Sequence, residues 1–297
     1  MKVLVTGANG FLGYYLCDKL LKEGYRVIAT GRGDCRLPFE NVSGFVYCPL
    51  DLTDVDQIDS VVGWQKPDHI IHAAAMGKPD ECEEKRELAN LINTAGTYHL
   101  LKAANTQQIS FTYISTDFVF DGEVGNYDEE AIRNPVNFYG QTKVAAERLV
   151  EQYPGDWSII RTVLVYGLPM TGRSNLLSIV QEKLERGESY QVVNDQIRTP
   201  TFVEDLADGI ISIANKKATG IYNICGEEVL TPYQMAVKAA NYLGLDTSLL
   251  IQTNSISFNQ PAKRPLITGL NISKAKLELG FIPTPFEIGL QKTFGNR

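Results

Sequence analysis

Two rhythms of apolar and polar residues alternate along the chain. Short runs of consecutive apolar residues, at 2–6, 26–30, 45–50, 69–75, 110–114 and 157–165, each read as a strand buried on both faces. Between them apolar residues return every three or four positions, the mark of a helix with one covered side. The longest such segment, 82–106, sets Leu88, Leu91, Ile92, Ala95, Tyr98 and Leu101 on that spacing. Strand and helix in regular alternation predict an α/β protein whose doubly wound parallel sheet is covered on both faces. Ligands are then expected beyond the carboxyl ends of the strands.

After Gly167 the rhythm changes. A polar loop leads to a helix over 175–186 and a strand over 190–194, followed by Asp195-Gln196-Ile197-Arg198-Thr199-Pro200-Thr201. An amphipathic helix over 202–214 and a strand over 220–225 return to the main sheet, and Thr231-Pro232 starts a helix in the last segment. The pattern predicts a large domain from 1–168 plus 201–226. A second, smaller and discontinuous α/β lobe comes from 169–200 plus 227–297, with no internal repeat and no low-complexity linker.

The first strand runs directly into Gly7-Ala8-Asn9-Gly10-Phe11-Leu12-Gly13 and then a helical pattern ending at Gly24. Gly7 suits a sharp turn, Gly10 lets backbone approach a diphosphate, and Gly13 lets the helix lie close to the strand. With Asn9, Phe11 and Leu12 they form a cradle in which a helix N-terminus offers N–H donors and a positive dipole to an anion. The spacing is TGxxGxxG rather than GxGxxG, and its place between a first strand and a helix predicts a dinucleotide-binding turn of the Rossmann type. In Asn137-Phe138-Tyr139-Gly140-Gln141-Thr142-Lys143, four residues of helix place the Tyr139 phenol and the Lys143 ammonium on one face, about 6 Å apart along the axis. A nearby ammonium favours the phenolate, so the pair can exchange a proton near neutral pH. Ser115 and Thr116 end the fifth strand, and either could reach the same substrate oxygen; Thr116 is favoured.

Composition narrows the function. With 297 residues, 44% hydrophobic and 21% charged, the chain buries a sizeable core, and a net charge of -7 argues against a nucleic-acid or anionic-membrane surface. No apolar run approaches the roughly 20 residues of a membrane span and no secretory leader precedes the first strand, so a cytoplasmic location is expected. Five scattered cysteines and three histidines lack metal spacing, and His69, His72 and His99 read as structural. The acidic run Asp80-Glu81-Cys82-Glu83-Glu84 reads as the dipole-matched start of a helix, and no metal is expected.

The glycine turn, Asn93-Thr94-Ala95-Gly96-Thr97, the segments 115–122 and 134–143, and 264–281 near the end together resemble the extended short-chain dehydrogenase/reductase family. Within it the chain is most similar to dTDP-4-dehydrorhamnose reductases, and also resembles the regulatory subunit of methionine adenosyltransferase. The resemblance implies Tyr139 as acid/base, Lys143 as its pKa-lowering and ribose-binding partner, and Thr116 as the carbonyl-orienting hydroxyl. It implies that Asp51 and Leu52 touch the adenine, that Ala73, Ala74 and Ala75 line the cofactor, and that Asn93 braces the long helix beside it. Met76, Phe118 and Asn175 would face the substrate, with Arg198 and Arg264 as cations for its diphosphate. Val163-Leu164 stands where such reductases carry Ser-Trp, and Phe118 replaces their usual tyrosine, so the sugar pocket is expected to differ.

Arg32, after the second strand, favours NADP(H), with NAD(H) as the alternative because Asp34 follows closely. The expected activity is reduction of a 4-keto nucleotide sugar, by an enzyme with neither nucleic-acid nor membrane partners and with a homodimer as its candidate assembly. The rivals are an epimerase that recycles its cofactor and a non-catalytic dinucleotide-binding regulatory subunit.

Overall fold

Strand order decides where the site lies. The structure, a computed structural model, describes residues 1–172, 174–257 and 260–295. Its strands are β1 (Lys2–Thr6), β2 (Arg26–Gly31), β3 (Phe45–Pro49), β4 (His69–His72), β5 (Ser110–Thr116), β6 (Trp157–Thr162), β7 (Val165–Tyr166), β8 (Tyr190–Val193), β9 (Thr201–Phe202), β10 (Gly220–Asn223) and β11 (Leu250–Thr253). Seven form one sheet in the order β10-β6-β5-β4-β1-β2-β3, every pair parallel. The chain therefore winds one way from β1 and the other way from β4. The crevice at the carboxyl ends of β1 and β4 is the switch point at which such sheets bind ligands.

The helices are α1 (Phe11–Lys22), α2 (Val55–Gln65), α3 (Pro79–Glu84), α4 (Arg86–Asn90), α5 (Gly96–Asn105), α6 (Phe138–Glu151), α7 (Leu176–Glu185), α8 (Val203–Lys216), α9 (Pro232–Leu243) and α10 (Phe286–Phe294). Because successive strand residues point to opposite faces, Val3 and Val5 join one core with Leu16 and Leu20 of α1 and Leu206 and Ile210 of α8. Leu4 joins the other, with Ile58 and Val62 of α2, Leu100 of α5 and Val150 of α6. Away from the sheet, β8 pairs with β11 in parallel, and Val180, Leu184, Val192, Ala236, Ala240 and Leu250 form a small core of their own.

Three expected elements are corrected. The helix expected over 82–106 begins earlier, with Pro79 in its first turn, and breaks at Lys85 (φ -126°, ψ 55°). It then passes through a π-helical turn, Leu91–Ala95, before α5. The strand expected over 157–165 stops at Thr162; Leu164 turns the chain with φ 35°, and β7 pairs with β9 instead. The fourth strand ends at His72 rather than residue 75, which frees Ala73, Ala74 and Ala75 to line the crevice.

Candidate active site

At the end of β1, Gly7 has φ +71°, and a Cβ there would lie 2.9 Å from the Ala74 Cα, so glycine lets the turn pass the end of β4. A Cβ on Gly13 would lie 2.3 Å from the Gly7 carbonyl oxygen, which is why α1 can rest on the turn. Helix α1 starts at Gly10 with no side-chain cap and no acid in its first turn. Asp54, Asn137, Asn175 and Thr231 cap α2, α6, α7 and α9, and α8 and α10, which also lack a side-chain cap, carry acids in their first turns. An uncapped, dipole-positive helix start at the switch point fits the diphosphate of a dinucleotide, which the backbone from Gly10 to Gly13 would hold.

Asn9 braces this turn. Its amide donates to the Asp34 carbonyl (3.0 Å) and the Tyr47 hydroxyl (2.8 Å), and its Oδ1 accepts from the Arg36 N–H (2.9 Å). The Arg36 guanidinium reaches the Asn9 carbonyl, so Arg36 stands beside the turn, and both it and Arg32 are exposed in this loop. The loop after Gly167 folds back over the turn as well. Thr171 donates to the Gly10 carbonyl, Tyr15 donates to the Leu168 carbonyl, and a Cβ on Gly172 would lie 2.7 Å from the Phe11 nitrogen. Glycine at 172 therefore lets this loop pass close to the Phe11 N–H.

The wall after β4 is held from behind. Thr6 Oγ1 accepts from the Ala74 N–H and lies 2.7 Å from His72 Nδ1, while His72 Nε2 lies 3.0 Å from Thr97 Oγ1. Thr97 gives its own proton to the Asn93 carbonyl, so His72 must donate from Nε2 and accept at Nδ1. Burial pushes the His72 imidazole down to about 3, with the Lys143 charge adding to the effect, and keeps it neutral. Asn93, in the π-helical turn, accepts from the Met76 N–H (2.7 Å) and donates to the Met76 carbonyl and to Thr142 Oγ1 (3.0 Å). Thr142 in turn donates to the Tyr139 carbonyl (2.7 Å). The π turn thus ties the wall of the crevice to the first turn of α6.

Helix α6 begins where Asn137 caps the Gly140 N–H (2.8 Å). A Cβ on Gly140 would lie 2.2 Å from the Phe118 carbonyl oxygen, so only glycine lets this turn sit against the end of β5. Tyr139 is consequently half-buried with its ring edge-on to Phe118, centroids 5.9 Å apart. Lys143 is buried; its Nζ donates to the Ile114 carbonyl (2.7 Å) and lies 4.1 Å from the centroid of the Tyr113 ring. Burial pushes the ammonium down to about 7, opposed by the Glu147 carboxylate. Thr116, also buried, donates to Asp117 Oδ1 (3.0 Å) and accepts from the Phe118 N–H (3.2 Å). To meet a substrate oxygen, its hydroxyl must rotate away from Asp117. Ser115, the alternative hydroxyl, donates to Glu147 Oε1 (2.5 Å) and faces the core.

The polar groups expected to meet a substrate diphosphate have other partners. Arg198 is buried and donates to the carbonyls of Ile197, Leu266 and Pro265 and to Gln196 Oε1, with its Nε 3.9 Å from Asp117. That geometry makes it a brace between β5 and the 265–267 segment. Arg264 forms a two-pronged pair with Asp80, the first acid of the acidic run, while Glu81 pairs with Lys78 and Glu83 with Arg86. Asn175 donates to the Gly167 carbonyl and caps α7. Asp51 accepts from the backbone and hydroxyl of Thr53, and Leu52 is buried against Gly96. Among the described residues no group of three or more His, Cys, Asp or Glu could hold a metal ion, and no helix is long and apolar enough to cross a membrane.

The family model for the RmlD substrate binding domain matches residues 1–296. The chain belongs to the RmlD substrate binding domain family. It is 32% identical over 280 residues to the dTDP-4-dehydrorhamnose reductase of Streptomyces griseus, across 92% of this chain and 86% of that protein. It is 31% identical over 299 residues to methionine adenosyltransferase 2 subunit beta of Xenopus laevis, across 98% and 86%. The crystal structure of dTDP-4-dehydrorhamnose reductase from Bacillus anthracis in complex with NADP aligns with a TM-score of 0.87 at 29% identity, covering 100% of this chain and 99% of that one. This RmlD-family chain is an NAD(P)-dependent oxidoreductase of the short-chain dehydrogenase/reductase type.

Two features of the site escaped the sequence reading. Arg36 had a signal, since it is the second arginine after β2; the loop over the glycine turn had none, because its contacts join residues some 160 positions apart.

Proposed function

We propose that this protein is a cytoplasmic reductase that uses NADPH to reduce the ketone of a 4-keto nucleotide sugar. The reading is carried by two contacts at the carboxyl end of β5, Lys143 on the Ile114 carbonyl and the Tyr139 ring edge-on to Phe118 just beyond Thr116, beside the uncapped start of α1 at the switch point. Residues 1–168 with 201–226 would carry the dinucleotide, and 169–200 with 227–297 would frame the sugar nucleotide. The bound nicotinamide supplies the hydride. Tyr139 gives its phenolic proton to the carbonyl oxygen as alkoxide charge develops, and the Lys143 ammonium stabilises the phenolate left behind. Thr116 turns its hydroxyl to the same oxygen. Met76 and Phe118 flank the sugar, and Arg264 reaches the diphosphate only if Asp80 releases it.

Arg32 and Arg36 support NADPH, since two guanidiniums beside the end of β2 suit a 2′-phosphate. Arg36→Ala is expected to raise the KM for NADPH about 10- to 100-fold, the loss of a charge-assisted contact, and to change the KM for NADH less than threefold. Steady-state kinetics with both cofactors measures this, and equal effects would remove Arg36 from cofactor choice.

The activity itself is tested by following NADPH and NADH oxidation across a panel of 4-keto sugar nucleotides, dTDP-4-keto-6-deoxy sugars first. Oxidation of at least one is the expected result. The likeness to methionine adenosyltransferase 2 subunit beta supports a second reading, a regulatory subunit. Silence across the panel together with co-purification of a synthetase would favour it.

A further inference from the structure

Behind the tyrosine and lysine, on the same face of α6, lies a carboxylate that the proposed reaction does not use. Glu147 is one turn beyond Lys143 and has no exposure to solvent. Both side chains grip neighbouring residues of β5: Lys143 Nζ takes the Ile114 carbonyl and Glu147 Oε1 takes the Ser115 hydroxyl. Their charged heads therefore lie within one residue of each other along the strand that ends at Thr116. Arg161, paired with Ser115 in the sheet register, binds both oxygens of Glu147, through Nε at 3.1 Å and Nη2 at 2.8 Å. Arg133 adds a third cationic contact to Glu147 (3.1 Å) and also meets Glu151.

A buried ion pair of this kind is weak evidence for stability, because desolvation offsets its attraction. A role at the site explains the location better. We propose that Glu147 is a positioning residue for the Tyr139–Lys143 pair, its clamped carboxylate keeping the Lys143 ammonium charged and seated on the Ile114 carbonyl. The groups facing Lys143 from each packed element favour this assignment. From β4 comes the neutral His72, from β5 the Tyr113 ring, from α3 the Cys82 thiol, and from its own helix Tyr139 and Glu147. Glu147 is the carboxylate among them. Around Glu147 itself stand Arg161 from β6, Arg133 from the segment before α6, Ser115 and Tyr113 from β5, and Lys143 on α6.

The inference rests on the reductase reading for its kinetic consequence but has a test that needs no turnover. In protein carrying 13C-labelled lysine and no cofactor, the Lys143 signal, assigned with Lys143→Arg, is titrated by NMR. Glu147→Gln keeps the shape and the acceptor for Ser115 while removing the charge. It is expected to move the Lys143 titration down by at least one pH unit and to move the alkaline limb of kcat with it, leaving the substrate KM within twofold. Glu147→Asp restores both. Should Glu147→Gln leave Arg161 too unbalanced to fold, Glu147→Gln/Arg161→Met is compared with Arg161→Met alone, and loss of the carboxylate in that background is expected to give the same downward shift. A Lys143 titration that Glu147→Gln leaves in place, in whichever of the two backgrounds folds, overturns the assignment. If wild type oxidises NADPH on no 4-keto sugar nucleotide, the reductase reading fails while the titration still decides the role of Glu147.

Discussion

Replacing Tyr139 by phenylalanine is expected to lower kcat on a 4-keto nucleotide sugar by about 100- to 10,000-fold, the range for loss of a positioned general acid. Phenylalanine keeps the ring that meets Phe118 edge-on and the helix turn that Asn137 caps, so the fold and the crevice should survive. Only the hydroxyl is removed. The NADPH dissociation constant, followed by fluorescence titration, should change less than threefold, because the cradle from Gly7 to Gly13 is untouched. A variant that binds cofactor normally and turns over at the wild-type rate would exclude Tyr139 as the proton donor.

For Lys143→Met the expected effects on activity and stability have opposite signs. Turnover should fall about 100-fold or more, since the phenolate loses its cation. Stability without cofactor should rise at pH 6 by ~1–4 kcal/mol, the relief of a buried ammonium less the loss of its bond to the Ile114 carbonyl. The sign follows from proton binding. Folding lowers the lysine from its ordinary 10.5 to about 7, so between those values the unfolded chain holds a proton that the folded chain has lost. Wild-type stability thus gains from this group as pH rises from 7 to 10.5, and the full cost of burial is present below 7. Methionine has no such cost, so its advantage should be largest at pH 6 and gone by pH 10.5. Urea unfolding at both values measures it; a variant less stable than wild type at pH 6 would mean that the surroundings of Lys143 favour its charge outright. A variant more stable at pH 6 would be typical of a site that holds its charge at the expense of fold stability.

What could be read from residue order depended on how local each feature is. The glycine turn and the four-residue step from Tyr139 to Lys143 are each set within seven or fewer neighbouring residues, and the structure forms both. The parallel order of the sheet was likewise visible as alternating strand and helix. The break in the helix at 82–106 was not, because its apolar spacing is continuous; the π turn exists to aim Asn93 at Met76 and Thr142, 17 and 49 residues away. Arg198 and Arg264 looked like free cations in a loop. Only the approach of the 262–267 segment to Gln196, Ile197 and Asp80 gives them partners.

The sequence by itself determined the α/β sheet, the dinucleotide turn and the identity of the phenol and amine, since backbone propensity and helical phase need no distant partner. Tertiary structure alone decided the direction of the Thr116 hydroxyl, the closure of Gly172 over Phe11, and the charge environment of Lys143. Those depend on desolvation and on contacts between segments far apart in the chain, such as Glu147 with Arg161 and Arg133, and no local pattern encodes which charged side chain will be buried beside which.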